Sequence, residues 1–267
     1  MIPALQPLRA WPAHARRRLL GVFSDIDDTL TTEGAITADA LAALARLRAA
    51  GLHVIPITGR PVGWSEPFAL AWPVDAIVAE NGAVALVRDP AGALRKLYQQ
   101  DAATRAANFE RMQQVLARVE REIPGARRAE DSPGRETDIA IDHGEFTQLP
   151  QERIDAVVAL MRSEGMTATV SSIHVNGWYG AHNKREGARW IVRELFRADL
   201  DAQHDRWAYV GDSTNDVLMF ERFEHSVGVA NIRRFLDQLS HPPRYLTDGE
   251  RGAGFTEVAD AILAARR

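Results

Sequence analysis

The stretch Leu19-Leu-Gly-Val-Phe-Ser-Asp25-Ile-Asp27-Asp-Thr-Leu30 decides the fold of this 267-residue chain. Its apolar run ends in three carboxylates within four positions, which is typical of a strand buried on both faces of a parallel sheet. Ligands of such α/β sheets bind outside the carboxyl ends of the strands, where Asp25 and Asp27 fall. Because like charges this close repel each other, they need a cation, a shared proton or full solvation. Taken alone, a solvated turn explains them as well.

Composition and charge exclude several classes of protein. With 46% hydrophobic and 25% charged residues, the chain has an ordinary globular composition. Its net charge of −4 argues against a nucleic-acid surface, where a basic balance is usual. Since the chain has no cysteine, disulfides, thiol catalysis and thiolate metal sites are excluded, which leaves oxygen and imidazole ligands.

The first residues predict neither a membrane anchor nor a secreted protein. No apolar run approaches the length that spans a membrane, and no secretory core follows the arginines at 16–18. We therefore expect a cytoplasmic protein whose residues 1–18, with three prolines, form a loosely ordered lead-in. We expect no membrane partner.

The order of the predicted elements indicates a parallel-sheet core that is interrupted once. Strand and helix patterns alternate up to about residue 83 and resume at Asn183. Between them, two amphipathic helices and several short strands span roughly a hundred residues, which is domain-sized. We therefore expect an α/β fold: a Rossmann-like parallel-sheet core with helices on both faces, formed by residues 1–83 and 183–267, with an inserted α+β cap at 84–182.

A second acidic pair follows a later strand. Asp212 and Asp216 are four residues apart where the apolar run at 207–210 gives way to a helix, so their side chains can share one face of its first turn. A single aspartate there is usually a helix cap. Two carboxylates with Asn215, after a strand that ends in glycine, are harder to explain in that way.

These acidic stretches resemble two motifs of the haloacid dehalogenase-like superfamily. Asp25-Ile-Asp27-Asp-Thr29 resembles its first motif, Asp-x-Asp-x-Thr. The sequence from Gly211 to Asp216, Gly-Asp-Ser-Thr-Asn-Asp, resembles its fourth motif, whose acids hold magnesium. Either match alone is weak.

The remaining two motifs occur between them, in the order of the superfamily. Thr58-Gly59 resembles the second motif, and Lys184, at a helix start that favours phosphate, resembles the third. The usual Lys-Gly-x-Ala is here Lys-Arg-Glu-Gly187-Ala, so the glycine is displaced. Asn81, before Gly82, lies near the third strand, where the family often places such a residue beside phosphate. The ordered set of four makes the resemblance specific.

The resemblance implies a Mg²⁺-dependent phosphomonoesterase. It implies that Asp25 attacks phosphorus to form an aspartyl-phosphate and that Asp27 acts as general acid and then as base. Asp25, Asp212 and the main-chain carbonyl of Asp27 would hold Mg²⁺. Whether Asp216 or Asn215 is a direct ligand stays open. Phosphate would be bound by the residues of the second and third motifs and by one neighbour: Thr58, Gly59, Lys184 and Asn81.

The position of the insertion suggests a subfamily. A cap after the third strand, of the C2 type, is similar to the IIB subfamily, and within it to the sugar-phosphate phosphatases related to sucrose-phosphatase and mannosylphosphoglycerate phosphatase. The cap residues His174, Asn176, Trp178 and Tyr179 are then candidate contacts to a hydroxyl-rich substrate. The alternative is that Trp178 and Tyr179 anchor packing.

Other activities use part of the same residue set. A dehalogenase needs no metal and can lack the second aspartate, so Asp27, Asp212 and Asp216 argue against it. A phosphohexomutase would use the same groups and stays open. A catalytically inactive, phosphometabolite-binding regulator would be expected to have lost an acid. We expect a small phosphorylated metabolite as the partner, no nucleic acid, and a monomer or small homo-oligomer.

Overall fold

The computed structural model describes residues 5–267. Its fifteen strands range from two to five residues and are, in chain order, β1 (Gln6–Pro7), β2 (Gly21–Ser24), β3 (Thr31–Thr32), β4 (Ala35–Ile36), β5 (His53–Pro56), β6 (Ala76–Ala79), β7 (Val84–Arg88), β8 (Leu94–Tyr98), β9 (Arg127–Arg128), β10 (Ile139–Asp142), β11 (Thr167–Val170), β12 (His174–Trp178), β13 (Trp207–Gly211), β14 (His225–Gly228) and β15 (Tyr245–Leu246). The helices are α1 (Ala13–Arg17), α2 (Ala38–Ala49), α3 (Val62–Ala71), α4 (Ala102–Glu122), α5 (Gln151–Ser163), α6 (Lys184–Phe196), α7 (Val217–Arg222) and α8 (Arg251–Ala264).

A parallel sheet forms the centre of the molecule. Its strand order is β1-β15-β14-β13-β2-β5, and each neighbouring pair is parallel. A parallel bridge between Ile57 and Val78 connects this sheet to the antiparallel sheet β6-β7-β8. Since β2 lies between β13 and β5, the two acidic stretches leave adjacent strands on the same edge of the sheet.

Apolar side chains cover the sheet on both faces. The side chains of consecutive β2 residues lie on opposite faces of the sheet. Val22 belongs to the apolar cluster that includes Leu44 of α2 and Val258 of α8, and Phe23 belongs to the cluster that includes Ile191 of α6. This alternation is the period of a strand whose two faces are both covered. The predicted fold class is confirmed.

The inserted cap has an apolar core of its own. Its antiparallel sheet has the order β11-β12-β10-β9, and α4 and α5 pack against it. The core of the cap includes Leu116, Val157 and Val175, all buried. Asn176, next to Val175, points the other way and reaches the main chain at Gly59.

Strands β7 and β8 begin at or after the predicted start of the cap at residue 84, but β7 pairs with the core strand β6, and β8 pairs with β7. Val84 and Leu86 belong to one apolar cluster of the core, and Ala85 and Val87 to the other. The division at residues 84 and 182 stays a prediction. Because of this pairing we propose that the insertion begins later, after Tyr98.

The lead-in expected over residues 1–18 is ordered from residue 5 onward, so this prediction is wrong for that part of it; residues 1–4 lie outside the described chain. Trp11 is 1% exposed and stacks on Tyr245, with 5.5 Å between the ring centroids. Arg16 and Arg17 donate to main-chain carbonyls in the last turns of α8. The prolines suggested disorder, but burial of the indole and these helix-end contacts hold the segment in place. Within residues 5–267, no helix combines the length and the apolar character needed to cross a membrane.

Candidate active site

The carboxyl ends of β2, β5, β13 and β14, four adjacent strands, converge on one region. Asp25 and Asp212 directly follow β2 and β13, and Thr58 and Asn231 come two and three residues after β5 and β14, as the rule for open α/β sheets predicts. Lys184, at the start of α6, reaches the same place. The buried residues that meet here are Asp25, Thr58, Lys184, Asp212, Asp216 and Asn231.

Asp25 is held in one orientation. Its Oδ1 accepts a hydrogen bond from the amide N–H of Ile26 at 2.8 Å, and its Oδ2 lies 2.9 Å from Nζ of Lys184. Burial raises the pKa of Asp25 to about 7, and the charge of Lys184 opposes that rise. A buried carboxylate beside a single ammonium group is well placed to act as a nucleophile once further positive charge is supplied.

Asp216 is occupied on both oxygens. Its Oδ1 accepts hydrogen bonds from Lys184 Nζ at 2.7 Å and from the hydroxyl of Tyr209. Its Oδ2 accepts from the amides of Asp212, at 3.0 Å, and Ser213, at 3.2 Å. With four donors around it, Asp216 holds the lysine and the turn after β13.

Gly211 makes this arrangement possible. A Cβ atom at that position would overlap Oδ2 of Asp216, so any larger residue would push the carboxylate away from the strand end. Position 211 therefore has to be glycine for the carboxylate of Asp216 to pack against the end of the strand.

The acidic group fits a divalent cation. Asp25, Asp212 and Asp216 offer oxygens that all lie within 4.8 Å of one another, and all three residues are buried. Burial, together with the charges of Asp216 and Asp25, raises the pKa of Asp212 well above its ordinary range. The three buried carboxylates face one buried lysine and the exposed Arg234, 3.6 Å from Asp212, so negative charge is left uncompensated. Oxygen donors are the ligands that Mg²⁺ prefers. Because Asp216 already accepts four hydrogen bonds, Asp25 and Asp212 are the better ligands.

The second predicted motif forms a compact loop. Thr58 is buried, and its hydroxyl oxygen accepts a hydrogen bond from the amide of Arg60 at 3.0 Å, which leaves the hydroxyl proton free to be donated. The amide of Asn81 donates to the carbonyl of Thr58 at 2.9 Å. A Cβ atom on Gly59 would lie 3.3 Å from the side-chain oxygens of both Asn81 and Asn176, so glycine lets core and cap approach the same loop.

The displaced glycine of the third motif has a structural role. A Cβ atom on Gly187 would lie 2.5 Å from Cα of Gly82, in the turn after β6. The close approach of α6 to this turn fixes the start of the helix, and with it Lys184, whose side chain contacts Asp25 and Asp216. The structure therefore brings Lys184 to the place where the resemblance puts it.

Asp27 forms an ion pair with Arg60. The Nε atom of Arg60 lies 3.0 Å from both carboxylate oxygens of Asp27. The Arg60 side chain is 5% exposed and also reaches Glu145 of the cap. Asp27 and Arg60 together lie at the boundary between a narrow cleft at Asp25 and a wider cavity of about 450 Å³.

The structure brings two of the four predicted cap residues to the site. His174 and Asn176 line the narrow cleft together with Asp25 and Asp27. The other two lie in the apolar core of the cap: Trp178, whose indole N–H donates to the carbonyl of His182 at 2.9 Å, and Tyr179.

Tyr179 donates its hydroxyl to the carbonyl of Glu164 at 3.1 Å, and the guanidinium of Arg111 lies 3.8 Å from its ring centroid. The prediction that Trp178 and Tyr179 contact substrate is corrected accordingly. Trp178 is the last residue of β12 and Tyr179 follows it, and both rings are buried in the apolar core of the cap.

Part of the sequence matches a family model. The model of a haloacid dehalogenase-like hydrolase family matches residues 22–117, which include the nucleophile candidate Asp25 and the Thr58-Gly59 loop. Over these residues the chain is similar to haloacid dehalogenase-like hydrolases. This confirms the resemblance drawn from the motifs. No curated protein matches the sequence.

Several solved structures share the fold of this chain. A Thermoplasma acidophilum protein aligns with a TM-score of 0.69 at 16% identity, over 92% of this chain and 99% of its own. The sucrose-phosphatase of Synechocystis sp. PCC6803, in complex with sucrose and phosphate, aligns with a TM-score of 0.65 at 18% identity, over 92% and 98%. The IMP-nucleotidase of Plasmodium falciparum, truncated at its N-terminus, aligns with a TM-score of 0.59 at 12% identity, over 95% and 73%. At these identities the likeness concerns the fold.

Sequence reasoning missed several residues of the site. Asn231, whose side-chain amide donates to Asp212 at 3.1 Å, follows β14 and could have been found by inspecting the end of each predicted strand. Tyr209 lies within β13, where an aromatic residue indicates packing. Glu145 lies in a cap loop, and nothing in its local pattern points to the site.

Proposed function

We propose that the protein is a Mg²⁺-dependent phosphomonoesterase that forms an aspartyl-phosphate on Asp25. The observation that supports this most is the meeting of a buried carboxylate, a lysine and a second acidic strand end at one point. Lys184 Nζ lies 2.9 Å from Asp25, and Asp212 offers an oxygen within 4.8 Å of it. Phosphoryl transfer asks a protein mainly for alignment and charge compensation, and this group of residues supplies both.

Asp25, Asp212 and the main-chain carbonyl of Asp27 would hold the metal. Mg²⁺ at that position offsets the repulsion between a carboxylate nucleophile and an anionic phosphoryl group. Asp216 would hold Lys184 in position and would not bind the metal directly, because its oxygens already accept four hydrogen bonds. Thr58 and Lys184 would then hold the phosphoryl oxygens.

In the first step, an oxygen of Asp25 bonds to phosphorus while the bond from phosphorus to the leaving-group oxygen breaks. Asp27 gives its proton to that oxygen, and an alcohol leaves. In the second step, Asp27 takes a proton from a water molecule whose oxygen bonds to phosphorus. Inorganic phosphate leaves, and the carboxylate of Asp25 is restored.

The cap supports a small phosphorylated metabolite, and a sugar phosphate above others, as the substrate class. His174 and Asn176 present polar groups beside Asp25, and the wider cavity offers about 450 Å³ to a leaving group. The similar structure described as a sucrose-phosphatase in complex with sucrose and phosphate is consistent with this choice.

The decisive experiment is a screen for released phosphate. Phosphorylated sugars, phosphoglycerate derivatives and nucleotides are incubated with the protein and Mg²⁺, with Asp25→Asn as the matched control. Release by the wild type alone supports the proposal. Conversion of a sugar phosphate to its isomer without free phosphate would show a mutase, and binding without turnover of any substrate would show a regulator.

A further inference from the structure

One loop of the cap places a carboxylate on the core. Asp142, at the end of β10, is buried and accepts hydrogen bonds from the amides of Gly144 at 3.1 Å, Glu145 at 2.9 Å and Phe146 at 2.9 Å. Three such bonds fix the backbone of the loop. The direction of the Glu145 side chain therefore follows from the fold of the cap.

Glu145 makes a two-point contact with Arg60. Its Oε1 accepts from Nη2 of the guanidinium at 2.7 Å and its Oε2 accepts from Nη1 at 3.2 Å. Nε2 of His174 lies 3.0 Å from the same Oε2. Burial opposes ionisation of Glu145, but His174 and Arg60 outweigh it and lower its pKa to about 2, so the residue is an anion at neutral pH.

The same guanidinium reaches the predicted general acid. Nε of Arg60 donates to both oxygens of Asp27 at 3.0 Å, so a single side chain connects a carboxylate of the cap to a carboxylate of the core. A second acceptor is within reach: Asp131 Oδ2 lies 3.4 Å from Nη1. Without Glu145, the guanidinium could rotate towards Asp131 and release Asp27.

The location of this chain of contacts suggests that it acts on catalysis. Asp27 and Arg60 line both the narrow cleft at Asp25 and the wider cavity, and Glu145 lines the wider one. A leaving group in the wider cavity would have its bridging oxygen at this boundary. We propose that Glu145 is a positioning residue, which holds Arg60 in place so that Arg60 orients the carboxyl group of Asp27 towards the leaving-group oxygen. The inference rests on the proposed function, in which Asp27 protonates that oxygen.

The test compares two substrates of similar shape and different leaving groups. Phenyl phosphate needs a proton on its departing oxygen, whereas 4-nitrophenyl phosphate has an acidic leaving group that needs little help. With general acid catalysis contributing 10²–10⁴-fold, Glu145→Gln should lower kcat for phenyl phosphate about tenfold or more, and kcat for 4-nitrophenyl phosphate less than about threefold. KM should change little for either substrate.

Two further variants make the result decisive. Glu110→Gln removes the same charge from an exposed position in α4 of the cap and should leave both kcat values unchanged. Arg60→Lys keeps the positive charge but loses the planar guanidinium whose separate nitrogens contact Glu145 and Asp27, so it should show the same loss on phenyl phosphate. This second variant decides the question if Glu145→Gln does not fold.

Each outcome bears on one hypothesis. Equal losses on both substrates, or a change confined to KM, would overturn the positioning role of Glu145. If Asp27→Asn discriminates between the substrates and the Glu145 and Arg60 variants do not, the inference alone fails. If Asp27→Asn reduces both rates equally, or the wild type releases no phosphate at all, the proposed mechanism fails and the inference fails with it.

Discussion

Asp212 and Asp216 should respond to the same substitution with opposite signs. Both are buried aspartates at one strand end, and both become neutral and nearly isosteric as asparagine. Asp216 is paired with the buried Lys184 at 2.7 Å. Asp212 accepts from Thr29 at 3.3 Å and from Asn231 at 3.1 Å, and its nearest cation, the exposed Arg234, lies 3.6 Å away, where an ion pair is worth little. In the absence of metal, we therefore expect Asp216→Asn to destabilise the protein and Asp212→Asn to stabilise it.

The magnitudes follow from these surroundings. Removing one partner of a buried ion pair costs about 3–5 kcal/mol, and the asparagine amide would in addition face the amides of Asp212 and Ser213. At Asp212 the substitution removes repulsion from Asp25 and Asp216. The asparagine oxygen can still accept from Asn231, and its NH2 group can donate to the Thr29 hydroxyl in place of the bond that this hydroxyl now donates. Relief of a buried, poorly compensated charge is worth on the order of 1–3 kcal/mol.

Urea unfolding in EDTA at about pH 9, above the pKa of about 7 to which burial raises Asp25, gives both free energies of unfolding. Asp237→Asn, at an exposed position, is the control for the loss of one negative charge. Repeating the titration with Mg²⁺ should stabilise the wild type but not Asp212→Asn. The reasoning is refuted if Asp212→Asn destabilises the metal-free protein as much as Asp216→Asn does, or if it retains the full stabilisation by Mg²⁺.

Four further outcomes are expected. Asp25→Asn should abolish phosphate release in the screen while circular dichroism shows an unchanged fold, because an amide cannot act as the nucleophile; sustained turnover would contradict the covalent mechanism. EDTA should remove activity and Mg²⁺ restore it, whereas Ca²⁺, which takes more ligands at longer distances, should support much slower turnover in the same assay. The metal-free protein should become more stable in urea titrations as the pH falls from about 8 to about 5. Burial raises the pKa values of Asp25 and Asp138 to about 7, so over this interval the folded state binds more protons than the unfolded state. A free energy of unfolding that falls over that interval would contradict this prediction. His174→Ala should reduce kcat/KM for a sugar phosphate far more than for 4-nitrophenyl phosphate, whereas Trp178→Phe should lower Tm and affect both rates alike.

The parts of the fold that follow from short-range patterns could be predicted from the sequence. A threonine before an amphipathic run is typical of a helix cap, and the hydroxyl of Thr37 accepts from the amide of Ala40 at 3.4 Å at the start of α2. The acidic ends of β2 and β13 were placed together because parallel strands present their carboxyl ends on one edge. In such cases, the periodicity of a few residues and one general rule are sufficient.

Contacts between distant segments could not be predicted in this way. Trp11 is buried because β1 pairs with β15, which lies more than two hundred residues away along the chain. Glu145 contacts Arg60 only because the cap folds over the core. The aromatic pair at 178 and 179 has the composition of a sugar-binding surface, but the packing of the cap takes both rings inward. Residue type limits the chemistry of a position, and the tertiary structure decides which neighbours it has.

The third motif differs from the family pattern in the position of its glycine, and it shows how a packing contact can be kept when the local sequence changes. The family pattern has glycine directly after the lysine, whereas here Arg185 and Glu186 separate Lys184 from Gly187. The structure shows what the glycine does: it lets α6 approach Gly82 closely enough that a Cβ atom at 187 would lie 2.5 Å from the facing Cα. Since residues three apart on a helix lie on the same face, a glycine at position 187 provides this approach on the side from which Lys184 enters the site. The requirement is therefore for a small residue facing the turn after β6, and a displaced glycine meets it while the lysine still contacts Asp25.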